Sequence, residues 1–242
     1  MTPGLLSCFV TGTDTEVGKT FATCALLRAH VQQGARAVGM KPVAAGARWA
    51  EGRWQNDDVE RIADAGNVEV PREILCPFLL RDAVAPHIAA QTQGRRIVLA
   101  PILAAFDHLR ASADVVIVEG VGGFRVPLDE TFDSADLAVR LALPIVLVVG
   151  LRLGCLNHAA LTAESIRARG LRLAGWIANA IDPAMAQADR NFLTLERLLD
   201  APCLGRLPWI EPERAHMEGG QVRTAEFDRA ASHLRLDAAT AL

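Results

Sequence analysis

The stretch Val10-Thr11-Gly12-Thr13-Asp14-Thr15-Glu16-Val17-Gly18-Lys19-Thr20 decides how the rest of the chain is read. It follows the apolar run Leu5–Thr11, which reads as a strand, and it opens Lys19–Gln33, which reads as a helix. A turn in that position ending in Gly-Lys-Thr is the context of a phosphate-binding loop. Successive backbone N–H groups and the positive end of the helix surround an anion there. Lys19 is expected to reach the terminal phosphates, and the Thr20 hydroxyl to bind Mg²⁺, which makes ATP and Mg²⁺ the expected ligands. The strict G-x-x-x-x-G-K-[ST] spacing would put glycine at position 13, where this chain has Thr13; the glycine stands one residue earlier, at Gly12. A threonine can hold such a loop if its φ stays negative.

Outward from the loop, strand-like apolar runs alternate with helix-length segments. The strands read as Leu5–Thr11, Ala37–Val43, Val115–Glu119, Ile145–Gly150, Leu173–Asn179 and Cys203–Leu207. Between them lie helical patterns at Lys19–Gln33, Asp58–Ala65, Leu99–Ala111, Asn157–Arg169 and Ala186–Leu199. Continuous apolar strands separated by helices predict a parallel sheet covered on both faces. The expected fold is therefore α/β, a single-domain doubly wound parallel sheet of the P-loop NTPase kind, spanning residues 1–242 and gathering its ligands at the carboxyl ends of the strands. The stretch Ala44–Gln55 has no periodicity and reads as a loop over the site.

Bulk properties narrow the function classes. A 242-residue chain can bury roughly 70–75% of the surface its unfolded form exposes, so it needs no disulfide staples. A net charge of −3 argues against a general electrostatic grip on nucleic acid or acidic membrane. Cys8, Cys24, Cys76, Cys155 and Cys203 are scattered, odd in number and without a C-x-x-C pair, which fits reduced thiols in the cytoplasm. Neither a signal peptide nor a membrane-length apolar run is read. Of 25 basic residues, 23 are arginine and only Lys19 and Lys41 are lysine. In so arginine-biased a chain, a lysine marks a place where a compact ammonium suits the chemistry better than a planar fork.

Several residues around the loop carry two readings. Glu16 beside a polyphosphate is electrostatically unfavourable, so it faces either solvent or a cation such as a substrate ammonium. Glu119 ends a strand before Gly120-Val121-Gly122-Gly123 and reads as the second arm for Mg²⁺, with glycines that let backbone approach a ligand. Asn56-Asp57-Asp58 reads equally as a helix cap or as ligand-binding acids. Lys41, at the end of the second strand, reads as a solvated lysine or as a phosphoryl or carbamate clamp. Gly154-Cys155-Leu156-Asn157-His158 reads as a helix start whose N–H groups suit a carboxylate, or as a plain start capped by Asn157.

Taken together, Gly12–Thr20, Lys41-Pro42-Val43, Pro86-His87, Glu119-Gly120-x-Gly122-Gly123, Leu153–His158 and Gly205-x-Leu207-Pro208-Trp209 resemble the dethiobiotin synthetase family, in that order, over nearly the whole chain to about residue 215. The resemblance implies a cytoplasmic homodimer that uses ATP and Mg²⁺ to carboxylate and close a ring on 7,8-diaminononanoate (diaminopelargonate). An amine takes up CO₂, ATP phosphorylates the carbamate, and the second amine closes the ureido ring. It further implies that Thr20, Asp58 and Glu119 carry Mg²⁺, and that Glu16, Val17, Gly18, Lys19, Thr20 and Phe21 hold the phosphates. Lys41, Lys19 and Glu16 would be catalytic. Gly120, Val121 and Gly122 would adjoin the nucleotide, with Asn179, Pro208, Trp209, Ile210 and Glu213 towards the adenine. Thr15, Lys41, Ala45 and the Gly154, Cys155, Leu156, Asn157 helix start would meet the substrate, the last across the dimer interface.

Three departures from the family pattern stand out. Ala45 replaces a common serine, Ala180 replaces an acid that commonly follows the adenine-contacting Asn, and the segment after Trp209 is short. A partitioning-type switch ATPase is the competing reading. Such proteins usually carry an extra lysine early in the loop, and no lysine precedes Gly18 here. A related amidotransferase-type synthase would need a glutaminase domain, for which this length leaves no room.

Overall fold

The computed structural model describes residues 7–210 and 220–240. Along the chain, β1 (Cys8–Gly12) leads into α1 (Lys19–Gln32) and β2 (Ala37–Met40). A short β3 (Val43–Ala44), then β4 (Arg48–Ala50), β5 (Arg53–Gln55) and α2 (Asp57–Ala65) follow. Next come α3 (Arg72–Leu75), β6 (Phe78–Leu79), α4 (Pro86–Thr92), α5 (Leu99–Ser112) and β7 (Val115–Glu119). The remainder runs α6 (Ser134–Leu141), β8 (Ile145–Leu151), α7 (Cys155–Ala168), β9 (Leu173–Ala180), α8 (Ala188–Leu199), β10 (Cys203–Leu207) and α9 (Gly220–Ala231), with a 3₁₀ turn at Leu236–Thr240.

Six strands form one parallel sheet in the order β10-β9-β8-β1-β7-β2. Strands β1, β2, β7 and β8 are buried at every position, as expected where helices cover both faces. One apolar cluster lies under each face, built on alternate residues of the same strands: Val116 and Val118 on one side, Val115 and Ile117 on the other. The chain crosses the sheet on both sides of β1, so β1 sits at the switch point where such folds bind ligands. Register brings the site together: Val10 pairs with Glu119 and Gly12 with Val148.

The stretch Ala44–Gln55 departs from its expected form. It is a hairpin, β4 antiparallel to β5, with Trp49 opposite Trp54 and their rings edge-on at 5.5 Å. Glu51 (φ 53) and Gly52 (φ 76) form its two-residue turn, and two consecutive positive φ values suit the right-handed twist of a hairpin. Lacking apolar alternation, it gave no strand signal. Helix α9 packs on α1: Asp228 accepts from Arg28 Nε at 2.7 Å and from Gln32 at 2.9 Å, and Phe227 meets Phe21 at 6.0 Å between rings. The tail thus braces the helix that begins at the phosphate loop.

His30 lies buried on α1 with Nε2 lacking a hydrogen-bond partner among the described residues. Burial pulls its pKa from 6.5 down to about 4. Between those values the unfolded chain binds a proton that the folded chain refuses, so this contribution to stability is present near neutrality and lost as pH falls. Urea unfolding is expected to show an acid-side loss on the order of 3 kcal/mol attributable to His30. A His30→Leu variant should lack that component; an identical pH slope in both proteins would contradict it.

Candidate active site

Helix α1 begins at Lys19 behind Gly18 (φ 83), with no side-chain cap and no acid in its first turn. Its first N–H groups are therefore free to take an anion. The loop needs both its glycines. A Cβ on Gly12 would lie 2.7 Å from Val17 Cγ2, and one on Gly18 would lie 2.0 Å from Asn179 Nδ2. Thr13 is not among the residues with positive φ, and its N–H donates to Val148 O at 3.1 Å. The glycine position it vacates is thus filled without left-handed backbone. Glu16 does take positive φ (60) and stands exposed at the rim beside exposed Thr15.

Behind the loop lies a cleft of ≈ 770 Å³, lined by Thr15, Glu16, Gly18, Lys19, Thr20 and Phe21 from the loop, Lys41, Asp58 and Glu119, and Val121 and Gly122 from the glycine turn. Both lysines of the chain are buried here. Lys19 Nζ donates to Asp14 O at 2.8 Å; burial, with Lys41 nearby, pulls its pKa down to about 8. Lys41 Nζ lies 2.5 Å from Glu119 Oε1 and 3.1 Å from Asp58 Oδ2. Burial opposes its charge, but the two carboxylates outweigh burial and raise the ammonium pKa above its ordinary value. Thr20 Oγ1 donates to Glu119 Oε1 at 2.8 Å. Burial likewise opposes ionisation of Asp58, yet the Lys41 ammonium, the Thr20 hydroxyl and the Arg61 charge hold its pKa low.

The Asn56-Asp57-Asp58 ambiguity separates residue by residue. Asn56 caps α2, its Oδ1 accepting from Asp58 N at 3.1 Å, and its Nδ2 ties the helix to Ala45 O. Asp57 is exposed and pairs with Arg48, whereas Asp58 faces the cleft. Thr20, Asp58 and Glu119 therefore converge around Lys41 Nζ. Glu119 Oε2 is buried and has no partner among the described residues. An unpaired buried carboxylate oxygen beside a second carboxylate and a hydroxyl fits a hard divalent cation with phosphate oxygens completing its shell.

Other expected contacts fall elsewhere. Only Ala44 and Ala45 of the Ala44–Gln55 stretch line the cleft. Pro86, of the Pro86-His87 pair, lines the cleft together with Ala83–Ala85 and Arg61, which the sequence did not single out. Asn179 is buried, and its Nδ2 donates to Val17 O at 3.0 Å, bracing the loop itself. Pro208, Trp209 and Ile210 follow β10 next to Asn179, which pairs with Leu207; Trp209 is exposed. Gly120 is buried beneath the loop, its N–H on Val10 O, and does not line the cleft. Glu213 lies outside the described residues. Helix α7 starts at Cys155 with Gly154 (φ 95) as its cap, so Asn157 is not the cap that its composition suggests. Cys155 is buried, Leu156 half-buried and Asn157 exposed, none of them in this cleft. Arg152 NH2 on Asp14 Oδ2 at 2.5 Å links that helix start to the phosphate loop.

A family described as an AAA domain matches residues 7–216. The ATP-dependent dethiobiotin synthetase BioD of Aromatoleum aromaticum is 58% identical over 202 residues, covering 84% of this chain and 90% of that protein. The chain belongs to the ATP-dependent dethiobiotin synthetase family. The synthetase of Ralstonia nicotianae is 54% identical over 92% of this chain and 97% of its own length. Among solved structures, the septum site-determining protein MinD of Pyrococcus horikoshii with Mg-ADP superposes with a TM-score of 0.57 at 14% identity, covering 97% of this chain and 95% of that one. A ParA family ATPase from Chlorobium tepidum gives 0.54 at 12%, over 95% and 100%. Those likenesses establish the P-loop NTPase fold alone. The dethiobiotin synthetase relatives favour a ligase over a partitioning switch. No helix among the described residues is long and apolar enough to cross a membrane.

Proposed function

We propose that this chain is an ATP-dependent cyclo-ligase that converts 7,8-diaminononanoate and CO₂ to dethiobiotin, releasing ADP and phosphate. The carrying observation is Lys41, a buried ammonium held at the mouth of an uncapped phosphate-binding helix. Phosphoryl transfer to a carbamate gathers negative charge on the transferring group, and a fixed ammonium in a water-poor cleft stabilises it. Lys19 would hold the terminal phosphates. Thr20, Asp58 and Glu119 would hold Mg²⁺, which neutralises phosphate charge when bound. Glu16 at the rim suits the substrate's ammonium. One amine attacks CO₂ and loses a proton to solvent; the carbamate oxygen attacks the γ-phosphorus and ADP leaves; the second amine then attacks the carbonyl carbon, phosphate leaves, and that nitrogen gives up a proton to solvent or to the departing phosphate. The mixed anhydride hydrolyses readily, and the apolar wall Ala83–Pro86 would limit water beside it. Incubation with ATP, Mg²⁺, bicarbonate and the diamine tests the reading. ADP release that depends on the diamine, with dethiobiotin formed, is expected. Diamine-indifferent ATP hydrolysis would refute it.

The substrate carboxylate would sit at the α7 start of a second subunit. Asn157 and Leu161 (57% exposed) stand four residues apart on one face of α7, and Leu153 (94% exposed) stands in the turn before it; exposed leucines at this helix start suit a homodimer contact. Asn157→Ala is expected to raise the KM for the diamine about tenfold, the value of one hydrogen bond to a charged group, with ADP affinity unchanged. Steady-state kinetics with isothermal titration of ADP checks this; equal weakening of both ligands would argue against it.

A further inference from the structure

Arg61 lies one turn beyond Asp58 on α2, and its half-buried side chain lines the same cleft as Lys19, Thr20 and Phe21. The other cations there are engaged: Lys19 with Asp14 O, Lys41 with Glu119 and Asp58. Arg61 makes no hydrogen bond or ion pair among the described residues. The charge balance of the cleft depends on it. Three cations, Lys19, Lys41 and Arg61, face three carboxylates, Glu16, Asp58 and Glu119. Without Arg61 the lining side chains are net acidic until Mg²⁺ binds, which is a poor receptacle for a polyphosphate. A guanidinium presents a planar fork that matches phosphate oxygens and cannot be neutralised by deprotonation.

The base side of the site is sparse by comparison. The Asn179 amide nitrogen is spent on Val17 O, and Ala180 offers no acid. We propose that Arg61 is a nucleotide-binding residue that grips the phosphate chain from the α2 side, so that affinity is set more by phosphate charge than by the base. The proposal rests on the cleft being the nucleotide site of the ligase reading, and it is tested without the diamine.

Equilibrium binding of ADP and GDP is measured on the whole protein, wild type, Arg61→Gln and Arg61→Lys, at two salt concentrations. Arg61→Gln is expected to weaken both nucleotides equally, by about tenfold or more as for loss of charge-assisted hydrogen bonds. It should also flatten the salt dependence, and Arg61→Lys should restore part of both. Nucleotide affinity within about twofold of wild type in Arg61→Gln at low salt, a span below one hydrogen bond, would overturn the proposal while leaving dethiobiotin formation intact. A loss confined to ADP would overturn it too, by assigning Arg61 to the base. Failure of the ligase reading looks different: the wild type would bind nucleotide and form no dethiobiotin.

Discussion

Lys41→Met is expected to reduce dethiobiotin formation by roughly 10³-fold or more, at least the loss seen when an oxyanion donor is removed. Methionine keeps most of the stem and removes only the charge. ADP binding should survive, because the uncapped start of α1 and Lys19 are untouched. The same substitution has a second effect that a purely catalytic lysine would not show. Glu119 is fully buried, so deleting the ammonium leaves its carboxylate without a cation, whereas partly exposed Asp58 keeps the Arg61 charge. Breaking a buried pair in this way costs about 3 kcal/mol or more. The metal-free variant should therefore melt well below wild type, and Mg²⁺ with ADP should recover more of that loss than in wild type. Wild-type turnover in the variant would refute the catalytic role. An unchanged melting temperature would refute the balance of charge drawn around Glu119.

The second large effect is expected at Gly18→Ala. Two independent penalties meet there. The backbone is left-handed at φ 83, which costs an alanine about 1–2 kcal/mol. Its Cβ would also stand 2.0 Å from Asn179 Nδ2, and Asn179 cannot retreat without giving up Val17 O. The loop would have to open, moving the N–H groups that cradle phosphate. ADP affinity should fall by about 100-fold or more, the sum of strain and lost phosphate contacts. Combining Gly18→Ala with Asn179→Ala removes the collision and keeps the φ penalty, so part of the affinity should return. Titration calorimetry on the four proteins of that cycle checks both statements. Normal ADP affinity in Gly18→Ala would refute the first. No recovery in the double variant would refute the second.

Much of this was legible in the order of residues because the signals are local. Val115–Glu119 and Cys203–Leu207 are strands over the residues their apolar runs mark, and Lys19 opens α1 where Gly-Lys-Thr places it. Short elements without a period were not legible. The Arg48–Gln55 hairpin turns on Glu51-Gly52 and carries arginine, tryptophan and glutamine, so neither helical nor strand spacing reports it. Helices α4 and α6, at seven and eight residues, are too short for a hydrophobic period to stand out, and α6 announces itself only through its Asp133 capping box.

By itself, the sequence determined the nucleotide cradle, the alternating α/β order, the family, and the oddity of two lysines among 25 basic residues. Each depends on neighbouring residues or on composition. Which carboxylates surround Lys41, which amide braces Val17, and which arginine lines the cleft without a hydrogen bond among the described residues were decided by the tertiary structure. Those pairs join residues 17, 78 and 162 positions apart, brought together only when β2 pairs with β7 and β8 pairs with both β1 and β9 in register and α2 packs beside α1. Spacing along the chain carries no information about such distances. Burial then fixed their meaning, because the same lysine in water would be a solvated surface charge.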